Sequence, residues 1–378
     1  MVAAALLAVR AATGLGLALS LTGGWQGFVQ AVIGALMIYP IYGIGRRLYE
    51  KRVGLLGAWL FAFWLPSAYL TQWVSKEPWE MLFLIPLTWL SLAQWQEPRW
   101  HRFVSAILVF VLAVFVRGNM LPFLGMLCVS AIPLFGWRKT LSLAAIGYTA
   151  LFLALLPWAA RNQRVVSVPV FLKGDFYFAV FGGFCQYEPK YFAISPENHP
   201  RVRANGKVAR TYDNFDVECK PITLQILRDR PLWYAGTVVR RFFWTLFHPL
   251  DWGQVHTAAS RRSYQDFHQV TGQGRLAYLR DSPGYVLLKT LQRLWEISLV
   301  PGALLALWLR HRDWRAWLII ATCYFTFALS YAPIRIEARY IAPHTWSLLL
   351  LAAVALTALA DRWRGAQPPT TPAGRAAI

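Results

Sequence analysis

Apolar runs long enough to cross a lipid bilayer recur along the chain, and no other feature restricts its fold so strongly. A spanning α-helix needs about 20 predominantly apolar residues. Inside hydrocarbon every backbone N–H and C=O must find its partner within the protein, and runs of this length satisfy that as helices. Nine such runs are read at about 27–45, 53–72, 79–95, 103–117, 119–136, 140–157, 284–309, 314–331 and 342–360. The pair meeting at Arg117-Gly118-Asn119 reads either as two short spans or as one broken helix. The expected fold is an all-α polytopic membrane protein, with about nine transmembrane helices and one large extracytoplasmic loop. Composition agrees: 57% of residues are hydrophobic and 15% charged, against about 25% charged in soluble domains.

The connectors set an orientation. Five are short and basic: Arg46, Arg47, Lys51 and Arg52; Arg99 and Arg102; Arg138 and Lys139; Arg310, Arg312 and Arg315; Arg362 and Arg364. With nine spans all five fall on one side, which the positive-inside rule makes cytoplasmic. A miscounted span would have scattered them. The other side receives 72–78, the Arg117 turn, the stretch 158–283 and 332–340. The long stretch holds ten of the eighteen acidic residues. Within it, Pro231 to His248 mixes apolar and basic residues, including Trp233, Arg240, Arg241 and Phe243, and reads as a helix on the membrane surface. The expected division is a 1–24 segment, interfacial or spanning; helices over 25–157; an extracytoplasmic region 158–283; helices over 284–360; and a disordered cytoplasmic tail 361–378.

The formal charge of +20 raises the question of nucleic acid. The basic residues sit between apolar runs, where they orient the chain and meet anionic membrane lipids, and no nucleic-acid-binding motif accompanies them. The four cysteines form no CxxC or zinc pattern, and no metal site is expected from His and carboxylate spacing. Cys185 and Cys219 share the long loop, and whether they are bridged is left open by the sequence.

Ionisable groups near membrane depth are costly and tend to serve function. Outside the long loop these are Glu77, Glu80, Glu296 and Glu337. Glu296 follows Arg293 at helical spacing, which suits a structural pair. Glu80 lies one turn inside a span, where it could face a neighbour's donor. Glu77, beside Lys76 in the outer turn Val74-Ser75-Lys76-Glu77-Pro78, is either a carboxylate facing an outer cavity or half of an interfacial ion pair. Arg117, Arg161, Lys173, Arg335 and Arg339 form a second group at the outer ends of spans. Any one of these cations could be a snorkelling anchor. Five together, against the positive-inside bias, favour an anionic ligand such as a lipid phosphate, whose oxygens match guanidinium forks.

The run Leu155-Leu156-Pro157-Trp158-Ala159-Ala160-Arg161-Asn162, followed by Lys173-Gly174-Asp175 and Gly183, resembles the PW-x-x-RN junction of bacterial GT-C-type glycosyltransferases. These are relatives of the protein O-mannosyltransferases and the lipid A aminoarabinose transferases. Gln30 to Arg52, Leu55 to Glu77, and Glu337-Ala338-Arg339-Tyr340-Ile341-Ala342-Pro343 are similar to further stretches of the family. The resemblance covers about residues 25–183 and 330–360.

It implies a GT-C-like fold, a site facing the periplasm or exterior of a bacterial inner membrane, and a polyprenyl-phosphate-linked sugar donor. The acceptor would be a lipid, a glycan or a protein. The family places an Asp in its first outer loop. Here the first acidic residue is Glu50 and the first Asp is Asp175. Either the given start is mis-set, or the chain is a fragment or degenerate copy, or the carboxylate role passes to Glu77, with Lys76 beside it, or to Asp175. Arg117, Arg161, Asn162, Lys173, Arg335, Glu337, Arg339 and Tyr340 would bind or position the donor. A divalent cation is the one cofactor this chemistry admits. The alternatives are a catalytically inactive or truncated copy, or a transporter of lipid-linked substrates.

Overall fold

The computed structural model describes residues 24–64, 76–166, 171–172, 176–185, 187–188, 212–247, 283–334 and 342–365. These residues are helical with short connections, and no strand occurs among them. The all-α membrane fold expected from the sequence stands. Among the described residues four helices are long and apolar enough to cross a membrane: Phe28–Leu48, Gly118–Phe135, Trp137–Val165 and Thr345–Trp363. The chain divides into two compact units, Met1–Pro98 with Trp252–Ile320 and Pro343–Ile378, and Arg99–Asp251 with Ala321–Ala342.

The first unit contains α1 (Gly24–Leu36), α2 (Ile38–Leu48), α3 (Lys51–Ala62) and α4 (Glu77–Gln96). Further along the chain it adds α11 (Pro283–Leu309), α12 (Trp314–Ile319) and α14 (Thr345–Trp363). α2 and α3 form a tight hairpin through the extended Glu50, with α14 packed on α3 and α11, and α4 against α1 and α2. Two glycines set how close the hairpin closes: a Cβ on Gly45 would stand 2.7 Å from the Gly54 Cα. Small residues at a helix contact allow this approach, which is how helices gain van der Waals contact in lipid. Ile38, Ile41, Ile44, Val53, Phe61, Leu349 and Leu350 fill the surrounding core.

The basic connectors of this unit are tied to one another. Arg47 donates to Gln96 Oε1 at 3.0 Å, and Gln96 returns a bond to the Arg47 carbonyl at 3.2 Å. Arg315 holds Asp313 at 2.7 Å and the Leu48 carbonyl at 2.8 Å, with its guanidinium over the Tyr49 ring. Arg52 reaches Asp361 at 3.5 Å.

The second unit contains α5 (Trp100–Val116), α6 (Leu121–Phe135), α7 (Trp137–Val166), α8 (Phe176–Cys185), α9 (Tyr212–Asp229), α10 (Pro231–Phe247) and α13 (Thr326–Tyr331). α5 and α6 are separate helices. Arg117 turns extended between them and Gly118–Met120 forms a single 3₁₀ turn. The Tyr148 hydroxyl of α7 inserts into the first turn of α6, donating to the Leu121 carbonyl at 2.7 Å and accepting from the Gly125 N–H at 3.1 Å. α7 runs nine residues past the 157 limit set by hydropathy, through Pro157 and the polar Arg161-Asn162-Gln163-Arg164. α8, α9 and α10 build a small core from Val180, Phe181, Phe184, Cys219 and Ile226, with Trp233 and Tyr234 packed against it. Cys185 and Cys219 both belong to this cluster and are free thiols. The stretch α12, a π-helical Ile320–Phe325 and α13 is continuous, and the unit boundary falls inside the π segment.

Candidate functional site

In the first unit two acidic residues stand at the N-terminus of α4. Lys76 is the capping residue and is exposed, Pro78 occupies the first turn, and Glu77 and Glu80 follow. Proline is tolerated there because the first-turn N–H groups have no intrahelical partner. The first turn also favours carboxylates, since the helix dipole leaves partial positive charge at that end. Both side chains are nevertheless nearly inaccessible, at 3% exposure for Glu77 and 1% for Glu80.

The donor facing Glu80 is an imidazole. His344 Nε2 lies 3.1 Å from Glu80 Oε1, with both side chains fully buried. A buried carboxylate is tolerable only with such a hydrogen-bonded partner. His344 ends the 3₁₀ turn Ala342–His344 and caps α14, and its carbonyl accepts from Ser347 Oγ at 2.7 Å. The sequence reading did not single out His344. Its signal was its place, directly after the Glu337-to-Pro343 motif at the outer end of the last apolar run.

In the second unit Arg117 is central. Its guanidinium lies 5.6 Å from the ring centroid of Tyr331, the last residue of α13 and four positions before Arg335. Next to it, a Cβ on Gly118 would stand 3.9 Å from the Leu172 Cβ, one residue before Lys173. Arg161 is on α7 rather than in a loop, exposed, 5.2 Å from the Trp158 ring centroid and 3.4 Å from Asn162 Oδ1. Lys173, Asp175, Arg335, Glu337, Arg339 and Tyr340 lie outside the described residues, as do the side chains of Arg293 and Glu296.

The turn leading to Arg335 is held by α10. Arg241 Nη1 donates to the carbonyls of Ala332 and Ile334, each at 3.0 Å, and its Nη2 donates to the Gly183 carbonyl. The Tyr234 hydroxyl donates to the carbonyl between them, Pro333, at 2.9 Å. Arg241 is 1% exposed, with the Tyr187 ring 5.0 Å from its guanidinium carbon. Burial pulls its pKa below the ordinary arginine value, with Tyr187 and Tyr234 acting in the opposite direction. Arg241, within the helix expected on the membrane surface, is a buried backbone clamp. No group of three or more His, Cys, Asp or Glu side chains arranged for a metal occurs among the described residues.

Residues 8–160 match the family model of the dolichyl-phosphate-mannose-protein mannosyltransferases. The resemblance to GT-C-type membrane glycosyltransferases is borne out over that stretch. Among solved structures the chain is similar to the Archaeoglobus fulgidus oligosaccharyltransferase crystallised with Zn and sulfate, at 14% identity and a TM-score of 0.47. That match covers 90% of this chain and 38% of the archaeal one. The comparison with curated proteins gives no match.

Proposed function

We propose, on the premise of the family match over residues 8–160, that this integral membrane protein transfers a sugar from a polyprenyl-phosphate carrier to an acceptor hydroxyl on the extracytoplasmic face. The acceptor oxygen forms a bond to the anomeric carbon as the bond from that carbon to the phosphate oxygen breaks. The acceptor proton passes to a carboxylate, the anomeric centre inverts, and polyprenyl phosphate leaves.

The observation that carries this reading is the neighbourhood of Arg117. Tyr331 lies beside Arg117 and Leu172 beside Gly118, and in sequence they precede Arg335 and Lys173. A departing lipid phosphate develops charge that guanidinium forks stabilise. Glu77 is assigned the proton, with Lys76 beside it, because the family's Asp has no counterpart before Asp175. Arg161, exposed on α7, and the neighbouring Asn162 are assigned to the lipid carrier.

The test is sugar transfer in membranes containing the full chain, supplied with radiolabelled polyprenyl-phosphate sugars. Glu77→Gln should lower the rate by about 10²-fold or more, the usual contribution of a positioned base. Arg117→Ala should weaken donor saturation. Transfer unchanged by Glu77→Gln removes that residue from the mechanism. No transfer from any polyprenyl donor by the unaltered chain overturns the enzyme reading.

A further inference from the structure

The basic connectors of the first unit hold cations of two kinds. Some are committed to the protein. Arg315 bonds the Asp313 carboxylate and the Leu48 carbonyl, so it fastens the 310–315 turn to the end of α2. Arg47 is tied to Gln96 and Arg52 to Asp361. Arg46, Arg310 and Arg312 are of the second kind. No hydrogen bond or ion pair joins their guanidinium groups to the described residues.

Tyr49 belongs to the same junction. Its ring centroid is 5.4 Å from the Arg315 guanidinium carbon, and its hydroxyl is buried with no hydrogen-bond partner among the described residues. Burial pushes the phenol's pKa well above its ordinary value, Asp313 adds to this, and Arg315 and Arg310 oppose it. The phenol therefore keeps its proton and remains a donor. Arg46 lies three residues earlier in the last turn of α2, one turn of helix away. A buried polar group without a partner is rare, and calls for a water, an ion or a ligand.

The surroundings suit a lipid. Trp308 and Trp314 flank the 310–315 turn and are well exposed, as indoles at headgroup level are. The Trp317 N–H holds the turn by donating to the His311 carbonyl at 3.3 Å. Arg47 joins the junction to Gln96, the last residue of α4, whereas Glu77 is its first. A helix of that length measures about 30 Å, one bilayer core. The junction is therefore remote from the carboxylate assigned to sugar transfer, and does not depend on that reading.

We propose that this junction binds one anionic phospholipid through its phosphate, with Arg310 and Arg46 on the phosphate oxygens and the Tyr49 hydroxyl as a third donor. Guanidinium forks match phosphate oxygens, and a neutral phenol adds a bond without adding charge. Two acids stand nearby: Arg315 offsets the charge of Asp313, and Glu50 is exposed to solvent. Such a site differs from a general attraction of basic loops to an anionic leaflet, because it needs these side chains and not only their charge.

The experiment uses the full chain in neutral detergent, with short-chain phosphatidylglycerol as the probe. Binding is read by native mass spectrometry and by the rise in melting temperature that a ligand of the folded state produces. The probe should bind about tenfold more tightly than short-chain phosphatidylcholine or inorganic phosphate. Arg310→Gln should weaken it about tenfold and Tyr49→Phe a few-fold, as loss of a charged and of a neutral hydrogen bond predicts. Arg46→Gln, at an exposed position, repeats the test if Arg310→Gln fails to fold. Lys139→Gln, which removes one charge from a basic connector of the other unit, should change binding less than about twofold. Without lipid, Tyr49→Phe should melt no lower than the unaltered chain, because its hydroxyl has no partner to lose.

Equal losses from Arg310→Gln and Lys139→Gln would mean diffuse attraction and overturn the proposal, as would equal affinity for phosphatidylcholine. Inorganic phosphate binding as tightly as the phospholipid would replace the lipid by a soluble anion. A lower melting temperature of Tyr49→Phe without lipid would assign the hydroxyl to a buried water and remove it from the site.

Discussion

The Glu80–His344 bond joins residues 264 positions apart, and both partners are sealed from solvent. A carboxylate in such surroundings depends on its donor, and removing one partner of a buried pair costs several kcal/mol. His344→Ala should therefore lower stability by about 3 kcal/mol. Glu80→Gln, which keeps a neutral acceptor, should cost less. Thermal unfolding followed by size exclusion in detergent would rank them, and equal losses would mean that packing rather than charge governs the site. The sequence made Glu80 visible because an acid one turn inside an apolar run is unusual. It could not make His344 its partner, since nothing local encodes a contact across that separation. The same limit applied to Arg241. Alternation of basic and apolar residues suggests an interface, while its burial depends on three carbonyls from distant segments. Cys185 and Cys219 are free in one buried cluster. All four thiols should take up a maleimide after unfolding without reductant, and mass spectrometry finding only two adducts would reveal a bridge.

Elements were more legible than contacts. Hydropathy placed runs at 103–117, 119–136 and 342–360, and helices occupy Trp100–Val116, Leu121–Phe135 and Thr345–Trp363. It ended the next run at 157, whereas α7 continues to Val166. Backbone hydrogen bonding does not stop where side chains become polar, and Pro157 removes only a single N–H donor from the ladder. The turn at Arg117 was ambiguous because both readings place apolar residues on each side of it. The extended Arg117 backbone resolves it as a break between two helices. The hairpin of α2 and α3 offers a test at this scale. Gly54→Val should force apart backbones that now meet beside Gly45 and Arg46, with the Gly54 Cβ position already 2.6 Å from the Tyr42 carbonyl oxygen. Overpacking of this kind costs about 1–3 kcal/mol or more. A detergent melting temperature unchanged by Gly54→Val would show that the hairpin can spread without loss.

Over the whole molecule, orientation was inferred from charge alone, and the first unit supplies a geometric counterpart. Bonds from Arg47, Arg52 and Arg315 link the α2–α3 turn to the ends of α4 and α14 and to the segment before α12. Within this unit the 46–52 and 310–315 connectors and the ends of α4 and α14 therefore meet, as they must if they share one side of the bilayer. In a cysteine-free background, Arg312→Cys should resist a membrane-impermeant maleimide applied to intact cells, while Lys76→Cys should react. The reverse pattern would invert the topology. Identification of catalytic groups went less far than topology. The predicted carboxylate and cations are scattered along the sequence, and only chemistry relates them.

The clamp from α10 also bears on how such a chain can drift. It grips carbonyl oxygens, which every amino acid carries, so it is indifferent to the side chains at 332–334. Substitutions there should be tolerated as far as this contact is concerned. The burden of selection falls instead on three distant positions: Gly183, Tyr234 and Arg241. A saturation screen that found 332–334 permissive and those three intolerant would show a loop whose shape is inherited from its neighbours rather than written in its own letters.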